Sequence, residues 1–322
     1  IYALSAIGVY AVSLSLLDTI KSPAFKTLLY INSFKLSKNA KNLVLKRDEK
    51  IKNFIEKFIG QISEKRIEEI VTLSASELHK RILAQSITSR EAVLAYSIRA
   101  ATIGKELFLI NDVRFEEAIK EAEEADIRIK ATQDKSTLPP LIGLPFTIKD
   151  VVQIKGCTTT LGFQFLTDKI AEKDSHVVEI IRKAGAIIFC LTNVPQGLFA
   201  FESKNNIFGN AQNPWDRTRT TGGSSGGCAG AVSSFCSPLT LCGDIGGSTR
   251  IPASFNGLYG LKPTQSRITS TAQLKPTGDE FTGYKTWLSS PGTVARSFDD
   301  TLLFAKVFYG KFNHDYSLPQ VE

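Results

Sequence analysis

Two apolar runs, Ile142 to Ile148 and Ala186 to Leu191, stand on either side of a helical stretch, Val177 to Lys183. A strand that is apolar on both faces has to be covered on both, and helices alternating with strands supply that cover. The order strand, helix, strand therefore predicts an α/β fold. Leu239 to Cys242 is a further short strand, and Glu106 to Ile110 reads as another. Phe115, Ala118, Ile119, Ala122, Ala125 and Ile129 recur at helical spacing, which predicts a helix over Arg114 to Lys130. Pro139-Pro140 ends the connection that follows.

Upstream, apolar positions from Ile51 to Val71 recur among Lys and Glu, an amphipathic helix interrupted near Gly60. Two capping boxes come next, Ser74-x-x-Glu77 and Thr88-x-x-Glu91, in which a hydroxyl and a carboxylate satisfy amide groups at a helix start. These signals place the beginning of the globular domain near Val71, so that it comprises residues 71–322.

With 322 residues, 43% of them apolar, the chain can bury one large core or two ordinary ones. Its formal charge of +7 is unevenly spread: Lys21 to Arg47 holds seven Lys/Arg and no acid, while the body is nearly balanced. That distribution favours a basic segment beside a membrane over a nucleic-acid surface. Ile1 to Leu17 is uncharged and falls just short of the ~20 residues that span a bilayer. Residues 1–17 are read as a truncated transmembrane or membrane-anchoring helix, with a buried core helix as the other reading. Residues 18–70 are then a basic juxtamembrane and amphipathic segment on the cytosolic side. The chain starts at Ile1 in mid-run and contains no methionine, as expected of a sequence that has lost its true N-terminus. Five cysteines without a C-x-x-C pair, mostly among small or apolar residues, are expected to be buried, reduced thiols.

Glycine is densest in two stretches, Gly222-Gly223-Ser224-Ser225-Gly226-Gly227 and Gly243-Asp244-Ile245-Gly246-Gly247-Ser248-Thr249-Arg250, which flank a short helix and strand. Such stretches let backbone amides come close to a ligand. Amide hydrolysis at a serine also needs a base, and His79, His176 and His314 are all remote from these loops in sequence. Each reads as a surface or capping residue, with His79 on the polar side of its helix. A lysine serves instead if burial or neighbouring charge lowers its pKa from about 10.4. Lys149 ends the strand Ile142 to Ile148, where α/β proteins place their active sites. On position alone, a lysine emerging from the strand end and pairing with Asp150 is the favoured reading. Taken alone, G-G-S-S-G-G also fits a flexible linker or a phosphate-binding turn, but the Gly-Lys-Ser/Thr of a Walker-type loop is absent. Cys228 is a competing nucleophile without a nearby base in sequence.

Together, G-G-S-S-G-G at 222–227, D-I-G-G-S-T-R at 244–250 and Lys149-Asp150 resemble the amidase signature family. Ser224 follows Lys149 by 75 residues and Ser248 follows Ser224 by 24, separations that agree with that family. The resemblance covers roughly Val71 to Phe308 and is clearest toward the family's membrane-bound animal fatty-acid amide hydrolases. Thr192 to Phe199, Asn213-Pro214-Trp215 and Asn111 to Ala125 share in it. Cys228 stands where glutamate is common in the family, and Thr249 where isoleucine is common.

The resemblance implies a twisted mixed β-sheet covered by helices on both faces, with a C-terminal part continuing beyond the position of Glu322. It implies Ser248 as nucleophile, Lys149 as base, and Ser224, in a cis peptide with Gly223, as the relay between them. Ser225 competes with Ser224 for that role, and family precedent favours the first serine. The N–H groups of Ile245, Gly246, Gly247 and Ser248 would form the oxyanion hole, and an Asp244–Arg250 pair would brace the loop. Leu198 and Phe199 would line the substrate channel near Ser224, although apolar core residues would look the same. No cofactor or metal is implied.

By the same likeness the expected activity is hydrolysis of fatty-acid amides, N-acylethanolamines and primary fatty amides, at a membrane, and a homodimer is compatible with it. A glutamine amidase subunit of a tRNA amidotransferase is the alternative within the family, opposed by the apolar N-terminus and by Ile245. A catalytically inactive, membrane-tethered binding protein is the alternative outside it.

Overall fold

The computed structural model describes residues 23–265, 267–268 and 289–309, with side chains from residue 33 onward. The expectation for Ile1 to Leu17 lies outside the described residues. Helix α1 (Pro23–Phe58) stops before Gly60, which takes φ 86°, and α2 (Glu64–Val71) restarts behind Ser63, whose side chain accepts the Arg66 amide. The predicted interruption is thus a glycine in the left-handed region followed by a new N-cap.

Helices α3 (Ala75–Leu83) and α4 (Ser89–Arg99) start at the two expected caps, but only one box is complete. Thr88 accepts the Glu91 amide while the Glu91 carboxylate accepts the Thr88 amide. Ser74 accepts the Glu77 amide, yet the Glu77 carboxylate takes Arg81 instead. Asp300, far away in sequence, accepts the Ser76 amide at 2.8 Å and so satisfies a helix-start donor from outside.

A π-helical turn, Ala100–Gly104, prolongs α4, and the strand expected at Glu106 to Ile110 begins only after it, as β1 (Ile110–Val113). Helix α5 (Phe115–Ala131) follows within a residue of its expected bounds. Strand β2 (Pro145–Lys149) starts later than Ile142, because Gly143 turns the chain at φ 77°. A Cβ at Gly143 would lie 2.9 Å from the Ser89 side chain, so both conformation and space require glycine there. Helix α6 (His176–Lys183) and β3 (Ile187–Thr192) agree with the sequence reading. A two-strand ribbon, β4 (Lys204–Asn205) and β5 (Gly209–Asn210), precedes α7 (Gly226–Ser233) and β6 (Thr240–Asp244). After these come α8 (Arg250–Phe255), β7 (Tyr259–Leu261), β8 (Ser290–Ala295) and α9 (Phe298–Phe308).

Among the described residues six strands form one mixed sheet in the order β1-β3-β2-β6-β8-β7. The central pairs, β2 with β3 and β2 with β6, are parallel, and the outer ones are antiparallel. Every residue of β2, β3, β6 and β8 is buried, the signature of a sheet covered on both faces. The core also reaches back beyond the boundary drawn at Val71. Ile51, Phe54 and Phe58 of α1 belong to the main apolar cluster, and the Phe54 and Phe115 rings lie 4.9 Å apart. The Arg47 guanidinium donates to the Ile110 carbonyl and Lys50 pairs with Asp112, which fastens α1 to the edge strand β1. Among the described residues no helix is long and apolar enough to cross a membrane.

Candidate active site

Strands β2, β3 and β6 run parallel, so their C-terminal residues Lys149, Thr192 and Asp244 come to one edge of the sheet. Lys149 is in register with Thr192. The two glycine-rich loops meet the same edge. The first enters α7, and the second links β6 to α8.

Lys149 is 2% exposed, and its Nζ lies 2.8 Å from Ser224 Oγ and 3.2 Å from the Gly243 carbonyl oxygen. Neither partner is charged. Burial pushes the ammonium down to about 8, opposed in part by Cys228, Cys242 and the Asp244 carboxylate. The pairing with Asp150, favoured on sequence position alone, does not occur. The Asp150 carboxylate instead accepts hydrogen bonds from Asn111 and Thr160.

Ser224 is buried and follows a cis peptide bond from Gly223. Of the two serines in the motif, Ser224 is the one that meets the lysine. Ser225 turns its hydroxyl toward the Gly243 carbonyl at 3.4 Å, and its amide donates to the Ser248 carbonyl at 3.1 Å. That backbone bond ties the two loops together at Ser225 and the half-buried Ser248. Close packing explains the glycines here: a Cβ on Gly223 or Gly227 would run into the backbone of Ala200 or Asn193.

Asp244 organises the second loop. Its carboxylate accepts the amides of Gly247 at 2.7 Å and Thr249 at 3.0 Å, and it holds Arg250 through two hydrogen bonds of 3.0 Å. Burial raises this carboxyl, but the hydrogen bonds from Arg250, Thr249 and Gly247 outweigh it and bring it to about 2. The Gly247 amide, assigned to the oxyanion hole, is spent on Asp244. Among the described residues no partner takes the amides of Ile245, Gly246 or Ser248.

Leu198 packs against the main core, whereas Phe199 is 86% exposed, so the two substrate-channel candidates have different surroundings. Segment 200–202 lies against Gly223 and the Phe255 ring against Gly222, which brings exposed Phe199, Phe201 and Phe255 to the margin of the serine loop.

Cys228 is buried with its Sγ 2.9 Å from Thr192 Oγ1, and all five cysteines are buried and free. His79, expected on a polar face, is buried beside Leu78 and Ile82, and burial pushes its imidazole down to about 4. His176 sits at the start of α6 with Nδ1 3.4 Å from Glu179, and His314 lies outside the described residues. Sequence reasoning missed the Gly243 carbonyl as a lysine partner and the Asn111–Asp150–Thr160 cluster. The only signal for the latter was an acid placed immediately after an apolar strand.

The family model described as Amidase matches residues 91–322. The chain is 35% identical over 221 residues to fatty-acid amide hydrolase 2 of Homo sapiens, an alignment covering 67% of this chain and 42% of that protein. It is 34% identical over 252 residues to an acetamidase of Emericella nidulans, covering 78% and 45% respectively. Among solved structures, a fatty acid amide hydrolase superposes with a TM-score of 0.75 at 28% identity, covering 88% of this chain and 52% of that one. The chain spans about half the length of these proteins or less.

Proposed function

This chain belongs to the amidase family, and on that footing we propose that it carries the catalytic centre of a serine amidase that hydrolyses fatty-acid amides. The observation that carries this reading is the 2.8 Å contact between buried Lys149 Nζ and Ser224 Oγ, made without a charged partner on the lysine. A lysine in that setting loses its proton more readily than one in water and can act as a base.

In the proposed reaction neutral Lys149 takes the Ser224 proton as Ser224 takes the proton of Ser248. Ser248 Oγ attacks the amide carbonyl, and the oxyanion is held by the amides of Ile245, Gly246 and Ser248. The proton returns through Ser224 to the leaving amine, and water hydrolyses the acyl-enzyme. Asp244 keeps the loop in shape by occupying the amides of Gly247 and Thr249.

Support for a fatty-acyl substrate comes from the exposed Phe199, Phe201, Ile245 and Phe255 at the margin of these loops and from the likeness to fatty-acid amide hydrolase 2. Association with a lipid surface draws on α1, where exposed Phe34, Lys38, Lys41 and Leu45 fall on one helical face flanked by Lys35 and Lys46. The reading is tested by labelling the protein with a fluorophosphonate probe and comparing a long-chain primary fatty amide, acetamide and glutamine as substrates. Labelling that survives Ser248→Ala rejects the nucleophile, and cleavage of glutamine or acetamide alone rejects the fatty-acyl substrate.

A further inference from the structure

Asp150 follows Lys149 directly and is fully buried, yet the proposed chemistry does not use it. Its Oδ2 accepts the Asn111 amide group at 2.7 Å and the Thr160 hydroxyl at 2.6 Å, and its Oδ1 accepts the Thr160 backbone amide at 2.8 Å. One carboxylate thereby joins the edge strand β1, the end of β2 and a loop ten residues downstream.

Thr160 passes this constraint on. While its hydroxyl donates to Asp150, the same oxygen accepts the Gly162 amide at 3.0 Å, which closes a tight turn with Leu161 at φ 50° and Gly162 at φ 73°. That turn interlocks with the loop carrying Leu198 and Phe199. The Gly197 amide donates to the Leu161 carbonyl at 2.8 Å, and a Cβ on Gly162 would lie 2.8 Å from Gln196 Cα. Gly197, at φ 66°, is packed just as closely, since a Cβ there would lie 2.8 Å from the Phe163 ring. The two loops meet backbone to backbone, where small displacements are resisted on both sides.

We propose that Asp150 is a positioning residue which, through Thr160 and the 160–162 turn, fixes the 195–199 loop relative to the strand end that carries Lys149. Its effect falls on the placement of the acyl chain rather than on proton transfer, because Leu198 and Phe199 are on the loop it holds and Lys149 takes no bond from it. This catalytic consequence rests on the amidase reading, whereas the positioning itself does not.

The experiment compares Asp150→Asn, Thr160→Val and Thr160→Ser with the unaltered chain by residue-resolved amide hydrogen exchange and by hydrolysis of a long-chain primary fatty amide. Exchange at Gly197 is expected to rise about tenfold in Asp150→Asn and Thr160→Val and to stay within about twofold in Thr160→Ser, which keeps the hydroxyl. KM for the fatty amide rises about tenfold in the first two variants while kcat stays within about twofold. Thr160→Val preserves side-chain volume, so the comparison stands even where Asp150→Asn does not fold. Unchanged exchange at Gly197, or a fall in kcat at constant KM, overturns the proposal. If the unaltered chain cleaves no amide, the amidase reading falls, and the exchange measurement alone decides the role of Asp150.

Discussion

Lys149 Nζ and Ser224 Oγ stand 2.8 Å apart although 75 residues separate them in the chain. The contact exists because β2 is hydrogen-bonded to β6 on one side and β3 on the other, so the glycine-rich loop leading into α7 closes over the end of β2. A basic side chain is thereby taken out of water and given only neutral hydrogen-bond partners, which sets its behaviour with pH.

Because burial brings Lys149 to about 8, kcat/KM should rise as pH increases through that value, since only the unprotonated amine can accept a proton. Lys149→Ala should lose about 10²- to 10⁴-fold in rate and the limb of the profile with it. Steady-state rates from pH 6 to pH 10, a span of about two pH units either side of 8, make the check.

Ser248→Ala should abolish fluorophosphonate labelling, and Ser224→Ala should slow it by about 10²-fold or more while leaving the labelled residue unchanged. Mass spectrometry of the labelled peptide distinguishes the two. A label found on Ser224 or Cys228 would reverse the assignment.

Asp244→Asn keeps the size of a side chain that accepts amides from Gly247 and Thr249 and two bonds from Arg250, but removes its charge. Charge-assisted bonds of this type contribute about 1.5–3 kcal/mol each, less where the partner is solvated as Arg250 is. Urea unfolding should show a loss of about 2 kcal/mol in total, accompanied by slower labelling of Ser248.

His79 is neutral in the fold because burial brings its imidazole from 6.5 to about 4. Between those values the unfolded chain binds the proton and the folded chain does not, so stability is complete above pH 6.5 and declines as pH falls toward 4. The full difference is about 3 kcal/mol. His79→Leu should remove this contribution, so that between about pH 7 and pH 4.5 the variant loses less stability than the unaltered chain in chemical denaturation.

Gly227→Ala should destabilise the protein by about 3 kcal/mol or prevent folding, since the added Cβ meets the Asn193 backbone rather than a movable side chain. Alanine at Gly246, where a Cβ would find no atom within 4 Å, should fold normally and serves as the control. Circular dichroism during thermal unfolding reads both.

The helices were legible because their signals are local. Thr88 and Glu91 are neighbours on one turn, and Gly60 breaks a helix by its own backbone freedom. The sequence reading went astray where a distant group intervened. Glu77 pairs with Arg81 rather than with the Ser74 amide, the distant Asp300 takes the Ser76 amide, and β1 begins late because α4 runs on through a π-helical turn. His79 looked polar beside Lys80 and Arg81 but packs inward with Leu78 and Ile82.

Residue order and type by themselves determined the α/β alternation, the two glycine-rich loops and the presence of a lysine at a strand end, since these depend on periodicity and on backbone conformations that few residues adopt. Tertiary structure alone decided which hydroxyl the lysine meets, that Asp150 bonds to Thr160 rather than to Lys149, and that Asp244 takes the Gly247 amide. Each of these is a contact between segments that only the sheet order brings together. Their energies depend on water being excluded from the junction, a condition that no single segment establishes before the fold is complete.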